Sequence, residues 1–278
     1  MRAIATRPRS QRGIALLVVL WACTLLAILL GGYAVLARTE GLQARYQFAQ
    51  IQAHYAAEAG LARAIYALTD PEPRRRWIAD GRPYEVAFDG ARVRVGVVDE
   101  SGKVDLNAAQ PEVLAALFQA AGATAAQAGP LAAAVVAWRS PPTAGGEPAG
   151  ATARHAPFAS LEELQQVPGM TAGLYARLAD DITIWSGRAA PEPASASPLA
   201  LAAIPGMTAA QIAQLTSQRQ QAATAPLAAM SGVTHSIRAE ATLADGTRAV
   251  LRATVRLQGG RSGAQPYAIL HWREDDGE

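Results

Sequence analysis

The sequence predicts an α+β protein: a long N-terminal transmembrane helix, then a small antiparallel β-sheet interrupted by a large α-helical insertion. Three observations carry this. No charged residue occurs from Ile14 to Ala37. Two blocks of alternating residues lie far apart, near Tyr84–Val98 and Thr234–Leu257. Between them, apolar residues at helical spacing are punctuated by Pro-Gly pairs.

The apolar run comes first. At 1.5 Å per residue it makes a helix of roughly 36 Å, enough to cross a hydrocarbon core of about 30 Å. Arg2, Arg7, Arg9 and Arg12 precede it, and no acidic residue occurs before Glu40. The positive-inside rule then keeps residues 1–13 in the cytoplasm and exports the rest. The run is too long for the apolar core of an ordinary secretory signal, although Val35-Leu36-Ala37 has the form of a cleavage site. A plain membrane anchor is the second reading. The third is a leader cut ahead of the apolar run, after Gly13. Glycine has no Cβ and enters a protease cleft in extended form, where a continuing helix would resist.

The helix is expected to continue beyond the membrane. No proline occurs between Ile14 and Asp70, and Pro71 and Pro73 then stop it. Its outer half carries a seam of Leu42, Tyr46, Ala49, Ala53, Ala56, Gly60, Ala64 and Leu68. Spacings of three and four place these on one face, and small residues suit close packing.

The alternating blocks read as β-structure. Tyr84–Phe88 and Val93–Val98 flank Asp89-Gly90, a hairpin turn signal. Thr234–Leu243 and Ala249–Leu257 flank Asp245-Gly246 in the same way, and Tyr267–Trp272 makes a last strand. The insertion repeats itself. Leu164-Gln165-Gln166-Val167-Pro168-Gly169-Met170-Thr171 echoes Leu201-Ala202-Ala203-Ile204-Pro205-Gly206-Met207-Thr208. Apolar helices follow at Leu174–Leu178 and Ile212–Leu215, and a further helix is expected at Pro111–Ala121. Two Gly- and Pro-rich loops, Pro141–Pro157 and Gly187–Pro198, separate these units. The expected divisions are a leader at 1–13, the long helix at 14–70 with its membrane span at 14–37, a β domain at 71–103 and 229–278, and a helical insertion at 104–228.

Composition narrows the function. Lys and Arg number 25 against 23 Asp and Glu, but without the four leader arginines 21 basic residues face 23 acidic ones. The folded part thus lacks the basic surplus that nucleic-acid binding needs. The Pro-Gly units resemble helix-hairpin-helix modules. Thr171 and Thr208 stand where the second phosphate-holding glycine belongs, and no Lys or Arg follows closely, so no nucleic-acid partner is expected. Cys23 is the only cysteine, and the four histidines make no local metal spacing. Gly102-Lys103 is similar to a phosphate loop, but Val97 and Val104 replace its defining residues. No nucleophile or metalloprotease motif occurs, and the chain is not read as an enzyme.

Arg12-Gly13-Ile14-Ala15-Leu16-Leu17-Val18 resembles the type IV prepilin signature. By that resemblance a prepilin peptidase cuts between Gly13 and Ile14 and methylates the new amino terminus at Ile14. Most subunits of such filaments carry Glu as the fifth mature residue, where its carboxylate meets the amine of the preceding subunit. Here that residue is Val18. A buried acid without a partner costs several kcal/mol, so a subunit with no neighbour beyond it has no use for one. Val18 is accordingly a candidate determinant of a tip position. The Ala56-Ala57-Glu58-Ala59-Gly60-Leu61 segment also resembles minor pilins and pseudopilins.

Asp99-Glu100-Ser101-Gly102-Lys103-Val104-Asp105-Leu106-Asn107, Phe158-Ala159-Ser160-Leu161-Glu162-Glu163-Leu164, the Pro-Gly-Met repeats and Pro266–Glu274 complete the pattern. Together they resemble the type II secretion system minor pseudopilin K family over nearly the whole chain. The resemblance implies a pilin-like sheet with a large helical insertion of helix-hairpin-helix-like (SAM-like) units. It also implies a bacterial inner-membrane, single-pass protein with its C-terminal domain in the periplasm. Its role would be at the tip of a pseudopilus, supporting assembly initiation and protein export across the outer membrane. Its partners would be minor pseudopilins I and J, then H and the major pseudopilin G. The alternative is a minor pilin of a type IV pilus. The second repeat departs from the family, with Ala196-Ser197 where Asn-Thr is usual. The family's sheet domain is associated with Ca²⁺, for which Asp99, Glu100, Asp105, Asp180 and Asp181 are the candidate oxygen donors.

Overall fold

The computed structural model describes residues 12–141, 154–221, 233–258 and 266–276. The leader up to residue 11 and most of the loop Pro141–Pro157 lie outside these. Two compact units are present, one up to Gln52 and one from Ala53 onward. Helix α1 (Arg12–Leu68) begins in the first and ends in the second.

In the second unit a five-stranded antiparallel sheet forms from β1 (Asp80–Phe88), β2 (Ala91–Asp99), β5 (Thr234–Thr242), β6 (Arg248–Leu257) and β7 (Tyr267–Asp276). Its order is β1-β2-β5-β6-β7. The interruption between β2 and β5 is the insertion anticipated above. The alternation decides which face is covered. Val93, Val95 and Val97 of β2, Ile237, Ala239 and Ala241 of β5, and Leu251, Ala253 and Val255 of β6 all face α1. Against them pack Ala56, Ala57, Leu61, Ala64, Ile65 and Leu68. A Cβ on Gly60 would stand 2.6 Å from Val93 Cγ1 and 3.1 Å from Val95 Cγ2, so the absent side chain is what lets the helix lie so near β2. The expected seam is therefore buried from Ala49 to Leu68, whereas Leu42 and Tyr46 are exposed.

The insertion has its own core. It contains α2 (Pro111–Ala120), α3 (Ala125–Arg139), the 3-10 turn Leu161–Gln166 and α4 (Ala172–Leu178), around Leu114, Leu117, Phe118, Val135, Leu164 and Leu178. A two-residue parallel pairing, β3 (Val104–Asp105) with β4 (Ile182–Thr183), closes it. Sequence patterning did not reveal this pairing, because two residues carry no period. It also passed over α3, where Gly129-Pro130 sits inside the helix and reads as a breaker. α5 (Pro198–Ala202) and α6 (Ala209–Gln221) form a smaller cluster around Ala196, Ala200 and Leu201.

The two Pro-Gly-Met repeats are the same structure twice. Met170 N–H donates to Val167 O, and Met207 N–H to Ile204 O, at 3.1 Å each. Gly169 and Gly206 have φ of +91° and +81°, the left-handed conformation required at the third position of a type II turn whose second residue is proline. A threonine then caps the next helix. Thr171 Oγ1 accepts from Leu174 N–H, and Thr208 Oγ1 from Gln211 N–H. Gln211 Oε1 accepts in return from Thr208 N–H at 2.8 Å, a reciprocal capping box. Thr124 and Gln127 repeat that contact at the start of α3.

Candidate assembly surface and its support

In the first unit, every side chain from Ile14 to Phe48 is exposed. Exposing an apolar side chain of Leu, Ile or Val size costs about 1.5–3 kcal/mol, so this stretch demands a bilayer or partner helices. α1 is long and apolar enough to cross a membrane. The Gly13–Ile14 bond lies in its first turn. That turn lacks backbone acceptors for its N–H groups and unwinds at little cost, as cleavage in extended form requires. Ile14 and Val18 are one turn apart and share a face, 71% and 57% exposed.

In the second unit, the Asp99–Asn107 segment leads from the sheet into the insertion. Asp99 caps the 3-10 turn Glu100–Gly102 by accepting from Ser101 N–H at 2.8 Å. Gly102 is pressed against another loop, and a Cβ there would meet Ser195 O at 2.4 Å. Glu192 N–H donates to Ser101 O at 2.8 Å in the same contact. Asp105 accepts four hydrogen bonds. Its Oδ1 takes Asn107 N–H at 2.7 Å and Ala108 N–H at 3.2 Å, while its Oδ2 takes Gly187 N–H at 2.7 Å and Ser186 Oγ–H at 3.2 Å. Asn107 clamps Phe158 from both sides: Nδ2 donates to its carbonyl at 3.0 Å, and Oδ1 accepts its N–H at 2.7 Å. The Arg139 guanidinium adds bonds to Leu106 O and Ala109 O, both 2.6 Å. One polar segment thus holds α2, α3 and the loops around Phe158 and Gly187 together.

Asp99, Glu100 and His235 are all buried at the root of this segment, and Lys103 reaches Glu100 Oε1 at 2.7 Å. Burial pushes the His235 pKa down, against a smaller upward pull from Asp99 and Glu100. Asp181 is pushed up by burial, and Ser197 Oγ–H opposes this by donating to its Oδ1. Ser197 also caps α5 through Ala200 N–H at 3.0 Å. Serine thus fills the capping position at the start of α5, where the sequence departs from the family.

Three of the five carboxylates proposed for Ca²⁺ have partners of their own, while Asp99 Oδ2 and Glu100 Oε2 are buried without a hydrogen-bond partner. Both oxygens of Asp105 are saturated, Glu100 is paired with Lys103, and Asp181 accepts from Ser197. Among the described residues, no group of three or more His, Cys, Asp and Glu is arranged to hold a metal ion.

Comparison with known proteins follows the same segment. Residues 95–187 match the family model described as Type II secretion system (T2SS), protein K. They include the Asp99–Asn107 hub, the Phe158 turn and the first Pro-Gly-Met unit, so the resemblance read from the sequence is borne out there. A chain of the crystal structure of the GspK-GspI-GspJ complex, from the enterotoxigenic Escherichia coli Type 2 Secretion System, has the same fold. Its TM-score is 0.59 at 17% identity, covering 84% of this chain and all of that one. None of the curated proteins matches the sequence.

Proposed function

We propose, from the match of residues 95–187 to the protein K family of the type II secretion system, that the chain is a minor pseudopilin at the filament tip. A prepilin peptidase cuts between Gly13 and Ile14, and Ile14 becomes the methylated amino terminus. Residues 14–37 stay in the inner membrane, and the sheet and insertion stand in the periplasm. Minor pseudopilins I and J bind the chain, as the composition of the similar solved complex suggests. H and the major pseudopilin G follow below. The role is structural: the chain starts assembly and supports export.

The observation that carries this reading is the exposed apolar helix without an acid at Val18. A carboxylate there serves a subunit that has another beyond it, and valine serves one that does not. The test is deletion of the gene. Loss of both secretion and filament assembly is expected. A strain that secretes and assembles normally would mark the chain as an anchored periplasmic protein of another kind.

A further inference from the structure

The sheet face turned away from α1 and the insertion enclose a cleft of about 450 Å³. That lies within the range of small-molecule sites, about 300–1,000 Å³. Its sheet side includes a row of residues opposite one another on successive strands: Val98 of β2, Ser236 of β5, Thr254 of β6 and His271 of β7. Ser236 Oγ and Thr254 Oγ1 share a hydrogen bond of 3.1 Å. In the next row Gly96 adds no side chain beside Arg238, which deepens the cleft there. Trp185 lines the insertion side, its ring 5.7 Å from that of His271.

The charges in the cleft are balanced. Arg94 is paired with Glu85, Arg238 with Glu240 and Lys103 with Glu100, and Arg252 and Arg273 have partners as well. Glu162 and Asp180 add exposed carboxylates from the insertion. Among the described residues, the five bases lining the cleft are thus matched by its two acids and the three acids paired with those bases. A polyanion or a polycation therefore gains no net attraction, and each meets like charge on one wall. A peptide backbone gains little either, since β2, β5 and β6 are already paired along both edges. What remains rewarded is a neutral ligand rich in both donors and acceptors. A sugar hydroxyl is both at once: it donates to a carboxylate and accepts from a guanidinium or ammonium. The apolar C–H face of a sugar ring suits an aromatic surface such as Trp185.

We propose that this cleft binds a neutral oligosaccharide, stacked on Trp185 and hydrogen-bonded to Asp180 and Glu162. The inference is independent of the filament reading, since it rests only on the sheet and the insertion.

The test uses the full-length chain in micelles of a detergent without a sugar headgroup. Triacetylchitotriose and maltotriose are titrated separately and read by saturation-transfer difference NMR. Saturable binding of at least one is expected, with Kd of about 10 mM or tighter. Tighter binding of the first assigns the cleft to N-acetylated glycans, and of the second to plain glucans. Because the ligand is uncharged, affinity should stay within about twofold between about 50 and 300 mM salt. W185A should weaken binding about tenfold or more, whereas W185F, which keeps an aromatic face, should weaken it less. D180N changes an exposed side chain, should melt with the parent and should still weaken binding several-fold. R75E, on an exposed loop arginine outside the cleft, should bind as the parent does. The proposal fails if neither sugar binds at about 10 mM, or if W185A and D180N both bind like the parent. It fails equally if hexaglutamate, hexalysine or single-stranded DNA displaces the bound sugar at lower concentration than the sugar itself requires.

Discussion

Val18 lies one turn from Ile14 on an exposed apolar helix, and its identity is a choice between charge and none. Val18→Glu places a carboxylate at membrane depth, at a cost of several kcal/mol without a partner amine. The variant should lose its tip position or reduce secretion; unchanged secretion and unchanged localisation by cross-linking would remove Val18 as a determinant. His235 offers a second test. Its pKa is lowered by burial, so the unfolded chain takes up a proton that the folded chain resists. Its contribution to stability is intact above about pH 6.5 and is lost as pH falls below that value, at no more than about 1.4 kcal/mol per pH unit. Denaturant melts at pH 7.5 and 5.5 should show the loss, and His235→Gln should reduce it. Asp181, raised by burial, acts in the opposite sense at lower pH: what it contributes is lost as pH rises through the carboxylate range. Gly102 was legible only as part of a recognisable segment. Its need for glycine comes from Ser195 O, far away in sequence, and no local pattern records that contact.

At the scale of elements, the same difference between local and distant causes decides what the sequence revealed. The strands of both hairpins were visible from alternation, because one face of each packs on α1. Asp89-Gly90 and Asp245-Gly246 fall at the two turns. The Pro-Gly-Met repeats were visible because a type II turn requires those residues locally. The capping boxes Thr124–Gln127 and Thr208–Gln211 were equally local and were available as a Thr-x-x-Gln spacing. The hub at Asp105 was not, since its donors come from residues 107, 108, 186 and 187. Two predictions belong here. Gly102→Ala drives a Cβ into backbone and should cost about 1–3 kcal/mol or more, measured by thermal or denaturant melts. Wild-type stability would mean that the 192–196 loop moves away freely. Gly13→Ala, in the first turn of α1, should slow or block cleavage of the leader. Mass spectrometry finding the normal mature N-terminus at Ile14 would contradict the leader assignment.

For the whole molecule, an exposed apolar stretch of helix is followed in the chain by a sheet whose inner face is covered and by a helical insertion. Fold class and the order of its parts were legible, since hydrophobic period separates a membrane helix, paired strands and an amphipathic insertion. The partners were legible only through family resemblance, because a protein's contact surface for another chain has no period of its own. The most direct measurement is therefore co-purification of residues 38–278 with minor pseudopilins I and J. A stable ternary complex that survives size-exclusion chromatography is the expected result. Repeated failure with pure, folded components would contradict the tip-subunit reading at its centre.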